Sequence, residues 1–193
     1  MGSRRSAGNL PIGDVVVRSE FGLLTLSEDD RRVLAVWAAD CAERVLPLFD
    51  RVAPLDTRPR EAIGGVRAFA RGDMRIGPVR ALSAKAHAAA REVGDDAAKA
   101  AARAAGHAAA VAHMGAHARG VAYAAVAAGL ANSRDPDAAN AEMRWQIEHA
   151  TAQVRDTLLK LPQPTRSGGT LSALMCDMYE EFTKESIQNP ASR

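Results

Sequence analysis

His113 and His117 stand four residues apart, a spacing that on a helix points both imidazoles the same way. On one continuous helix Gly106, Ala110, His113, His117, Gly120 and Ala124 share that face. The neighbours are small, so space remains beside the rings for a metal ion or an anion. The hydrolytic zinc motif places glutamate directly after the first histidine, and here Met114 occupies that position. A metal would need a third ligand from elsewhere, such as His87, Glu43 or Asp40. The expectation is therefore no metal and no cofactor, with the imidazoles hydrogen-bonded across a tight helix pair or lining a partly solvated groove.

Other polar side chains recur at helical spacing. His107 sits beside that face with Val111, Met114 and Val121, and reads as a core histidine bonded to a carbonyl. Arg80, Ala84, His87 and Arg91 form a stripe able to present cations to an acidic partner, although a solvated edge is the default. Arg60, Arg67 and Arg71 line one side of another helix, and guanidinium is well suited to gripping carboxylate or phosphate. The binding candidates are His87, His113, His117, Arg60, Arg67, Trp37 and Tyr123, with His87 and the arginines as walls of a groove beside His113 and His117 and Trp37 or Tyr123 nearby. No phosphate-cradling glycine loop, nucleophile elbow or kinase set is present, so no catalytic residue is assigned and enzymatic activity stays open.

The elements that must position these groups are helical. Ser27 followed by Glu28, Asp29 and Asp30 is a helix start, with a hydroxyl and carboxylates at the positive helix end. Leu34, Trp37, Cys41, Val45 and Leu48 then give one apolar stripe, with Pro47 expected to kink or shorten its last turn. A second helix opens at Thr57-Arg58-Pro59 and closes at Gly72, a third runs from Gly77-Pro78 to near Gly94, and Asp95-Asp96 caps a long fourth reaching about Leu130. The third and fourth should form an antiparallel hairpin whose alanine faces permit close approach. A fifth helix runs from Pro136 to about Leu161 and a last one from Thr170 to about Ser186.

The expected fold is all-α, one bundle of five or six helices around an alanine-rich central antiparallel hairpin. Residues 1–26 read as an N-terminal tail, 27–161 as the helical domain, 162–169 as a linker, and 170–193 as a C-terminal helix and tail. The last helix either folds back onto the body or docks on a partner.

The chain has 193 residues, enough for one domain with a real core. About a fifth is alanine and only 4% is aromatic, which argues against a β-sandwich or a doubly wound sheet. The net charge of +2 gives no concentrated basic tract for specific nucleic-acid binding. Two distant cysteines, Cys41 and Cys176, make neither a disulfide framework nor a zinc site and suit a reducing compartment. No secretory leader is expected, and the least charged run, 104–131, is alanine-rich and interrupted by histidines, so no membrane span is expected either. The expected location is cytoplasmic.

Several blocks carry a family resemblance. They are Trp37-x3-Cys41-Ala-Glu43-x2-Leu46-Pro47-x-Phe49, Asp56-x-Arg58-Pro59-Arg60-x-Ala62-Ile63, Arg67-Ala68-Phe69-x2-Gly72, the alanine-flanked His87 and His107, and Ala112-His113-x3-His117-Ala118. Together these resemble the immunity proteins of bacterial polymorphic-toxin systems, specifically the immunity-five-like group, over about residues 27–130. The resemblance implies an all-α cytosolic protein that binds and neutralises a cognate protein toxin. Phe69 stands where many relatives carry Trp. The alternative is a small-molecule-binding or enzymatic self-resistance or biosynthetic protein with a His-lined pocket between helices. A homo-oligomeric module, joined through the alanine face or the last helix, is a third option.

Overall fold

A computed structural model describes residues 24–188. Among them the chain forms helices and no strand. In chain order they are α1 (Glu28–Val52), α2 (Arg58–Arg71), α3 (Ile76–Glu92), α4 (Asp96–Ala110), a 3-10 segment (Gly115–Val121), α5 (Ala122–Ala131), α6 (Pro136–Glu148), α7 (Ala152–Leu159) and α8 (Thr170–Gln188). The fold is all-α, with slightly more helices than the five or six expected. Of the expected tail, residues 1–23 lie outside the described residues.

The helix starts follow the local chemistry. The Ser27 side chain accepts a hydrogen bond from the Asp30 amide, Asp95 does the same for Ala98, and Thr151 for Val154. Gly72 ends α2 in the left-handed conformation, at φ 88°. Pro47 does not stop α1, which continues to Val52. Pro47 and Glu43, whose carbonyl lost its donor, both lie on the exposed side, where water can replace the missing bond. On the buried side Phe49, rather than Leu48, continues the stripe of Leu34, Trp37, Cys41 and Val45.

The expected long fourth helix is broken in two. Helix α4 stops at Ala110, Met114 is extended, and the 3-10 segment carries the chain round into α5. The reason lies in burial. Helix α4 is apolar nearly all round, and a helix of that kind must be enclosed on every side. It packs against α1, α2, α3, α5 and the 3-10 segment. A straight helix to Leu130 would have carried the second alanine run away from the first instead of back over it. Gly115 sits at the bend, where a Cβ would lie 2.7 Å from Leu26.

Helices α3 and α4 form the expected hairpin, the most extensively packed pair among the described residues. Ser83 ties them by donating to the Gly106 carbonyl at 2.8 Å. The expected fifth helix also divides: α6 ends at Glu148, with His149 as its C-cap, and Thr151 caps α7. Ala150, Val154 and Leu158 keep their burial across the break. Helix α8 folds back in cis, burying Leu174, Met178 and Phe182 against α5, α6 and α7. No helix among the described residues is long and apolar enough to cross a membrane.

Candidate functional site

The chain reversal after α4 gathers four imidazoles from three places. His87 lies on α3, His107 on α4, and His113 and His117 on the turn and the 3-10 segment. His107 is the centre of the group. Its Nδ1 lies 3.3 Å from His117 Nδ1, and its ring centroid is 4.9 Å from that of His87, edge-on. The His113 and His117 rings are 5.1 Å apart. Tyr123, on α5, stacks on His107 at 5.2 Å with 14° between planes, and the Arg103 guanidinium lies over the Tyr123 ring at 5.6 Å.

Two glycines make room for these rings. A Cβ on Gly106 would lie 2.7 Å from the His87 ring, and one on Gly120 would lie 2.4 Å from His107 Cβ. Any side chain at either position would drive an imidazole out of the group. All four rings are neither fully buried nor fully exposed.

Burial lowers the pKa of each imidazole, and neighbouring positive charge adds to the effect for three of them. His107 is pushed furthest, to about 3, by burial and then by His87, His117 and Arg103. The rings are therefore neutral near pH 7. In the His107–His117 contact one Nδ1 must donate and the other accept, so the pair holds one proton between two facing nitrogens. His113 Nδ1 is buried without a hydrogen-bond partner among the described residues. Among those residues, no three His, Cys, Asp or Glu side chains gather in the arrangement of a metal site. What the arrangement offers instead is a row of neutral donors and acceptors edged by guanidinium groups.

The other candidate residues lie apart from this row. Arg67 bonds Glu43 at 2.6 Å and Asp40 at 2.8 Å, and Arg60 pairs with Asp50, so both fasten α2 to α1. Glu43 and Asp40, the carboxylates that could have supplied a third metal ligand, are thus engaged with Arg67. Trp37 is 3% exposed; its Nε1 donates to the Gln146 carbonyl, and its ring meets the edge of Phe182. His107 is not a carbonyl-bonded core residue but the hub of the row. Its role depends on the chain doubling back, which an ideal-helix projection does not contain. The available signal was two glycines within alanine-rich helical sequence, Gly106 and Gly120, which leave room for rings from other elements, His87 and His107.

No curated protein and no solved structure matches the chain. A family model does match, over residues 24–153, about two thirds of the length. The matched stretch holds α1 to α6, the whole imidazole row and the start of α7, and leaves α8 outside. By that match the chain belongs to the family described as "Imm-5 like putative immunity protein".

Proposed function

We propose that this protein is a cytoplasmic bacterial immunity protein, a helical scaffold that binds a cognate protein toxin and blocks it by surface complementarity. The observation that carries the reading is the family match across the helical body. The architecture supports it. An alanine-packed bundle lets helix axes approach closely, and the resulting rigid exterior loses little freedom on docking. Co-expression with the product of the neighbouring toxin gene tests the proposal. A stable complex that co-purifies, together with restored growth of cells making the toxin, is expected. Unprotected growth and no complex would overturn it.

The convergence of His107, His113, His117 and Tyr123 favours one other reading, a small-molecule site between helices. Turnover or sequestration of a small molecule, lost in His117→Ala, would put that reading first.

A further inference from the structure

The cations of this molecule are not treated alike. On α2, Arg58, Arg60, Arg67 and Arg71 each hold a carboxylate. On α3, Arg80, Lys85 and Arg91 make no ion pair among the described residues, although all three are exposed. Arg103 on α4 is likewise unpaired among those residues and rests on Tyr123. Of these, Arg80, Arg91 and Arg103 border the imidazole row. Arg91 and Arg103 act on His87, Arg103 on His107, and Arg80 on His113.

We infer that the face formed by α3, Arg103 and the imidazole row is a carboxylate-recognition surface that docks an acidic patch of a partner protein. The inference rests on the partner-binding reading above and adds the chemistry of the partner. Three observations carry it. First, no carboxylate among the described residues acts on any of the four imidazoles; the charges that reach them come from Arg31 on α1, Arg80 and Arg91 on α3, Arg103 on α4, and from one another. Second, the rings are held in place by stacking and by Gly106 and Gly120, so their N–H groups are pre-positioned and little order is lost on binding. Third, the Arg80 and Arg91 guanidinium groups make no ion pair among the described residues and are exposed. Arginine forks left open at the surface match carboxylate geometry by paired bonds. A nucleic acid fits less well, because the chain carries only +2 in all and has no concentrated basic tract to track a phosphate backbone.

A carboxylate brought beside a neutral imidazole favours the charged ring, so docking takes up protons and tightens as pH falls. The facing groups are Arg80, His87 and Arg91 from α3, Arg103 and His107 from α4, and Arg31 from α1. His113 and His117 face it from the turn and 3-10 segment, and Tyr123 from α5. All but Tyr123 are basic; Glu92 reaches Arg91 but is held by Arg58 and acts on none of the four imidazoles, so it does not oppose this direction.

The test uses the full chain, a fluorescent poly-glutamate peptide and a short DNA duplex, read by anisotropy. The peptide should bind, and bind about tenfold more tightly as pH falls from about 8 to about 6. The double variant Arg80→Gln/Arg91→Gln, at exposed positions outside the core, should weaken it about tenfold. Arg51→Gln, an exposed arginine on α1 that is equally unpaired among the described residues, should change it little. His117→Asn should flatten the pH dependence. Equal loss with Arg51→Gln, or tighter binding of the duplex than of the peptide, would overturn the inference. The toxin complex separates this inference from the broader reading. If it forms and ignores Arg80→Gln/Arg91→Gln, the surface is wrong and the immunity reading stands. If no toxin binds while the peptide still maps to α3, the immunity reading fails and the surface survives.

Discussion

At Gly120 the 3-10 segment runs so close to α4 that an added methyl would sit 2.4 Å from His107 Cβ, an atom too near its backbone to swing away. Gly120→Ala is therefore expected to cost about 1–3 kcal/mol in urea unfolding, as overpacking does. Gly64 offers the opposite case. It lies in α2 with nothing within 4 Å of the position a methyl would take, so Gly64→Ala should raise stability by about 0.5–1 kcal/mol. The imidazoles make a prediction of their own. Their folded pKa values lie below the ordinary histidine value, so the unfolded chain binds more protons at mildly acid pH. The stability they contribute is complete above about pH 6.5 and falls as pH drops toward His107's value of about 3. Each neutral ring adds at most about 1.4 kcal/mol per pH unit to the slope. The urea midpoint should fall from pH 7 to pH 5, and His107→Phe should flatten that fall; an unchanged slope would contradict the burial argument. Sequence reasoning could name His113 and His117 as neighbours because they are close in the chain. It could also offer His87 as a third group beside them, but it could not set His107 at the centre, since that contact is made by a chain reversal on which helical periodicity is silent.

Elements with punctuation were readable, and elements without it were not. Helix α1 begins at its Ser27 cap, α2 opens with Pro59 in its first turn and closes at Gly72, and α3 ends with Val93 as its C-cap, one residue before Gly94. The end of α4 carries no such mark. Alanine favours helix on both sides of the bend and has no apolar phase to lose, so periodicity passes through Val111 unaltered. The break between α6 and α7 rests on one threonine cap, Thr151, inside an otherwise helical pattern. Helix α8 was legible as amphipathic, but its docking surface was not. Its anchor is Phe182, 1% exposed and edge-on to Trp37 at 6.4 Å. Phe182→Ala should cost about 3–5 kcal/mol and shift the fluorescence of Trp37, a change that a helix resting loosely on the surface would not produce.

Across the whole molecule, a partly buried ion pair joins the first helix to the sixth. Arg44 Nε bonds both carboxylate oxygens of Glu142 at 3.0 Å and its guanidinium stacks 3.8 Å from the Trp145 ring centroid. Glu142 is 7% exposed, so removing Arg44 leaves a carboxylate without its counter-charge. Arg44→Ala should cost about 2–3 kcal/mol, below the range for a fully enclosed pair because Arg44 itself is 38% exposed. Arg44→Ala with Glu142→Leu should recover much of that loss, since an apolar pair can replace a desolvated one. Helix α8 bears on how the protein is handled. It lies beyond the family match yet closes over Trp37 and Met143, inward-facing residues that the matched stretch alone would leave wet or uncovered. A truncation drawn at Gln153 to isolate the family-matched body would strip this cover and give an aggregating fragment, whereas one ending after Gln188 should stay monodisperse.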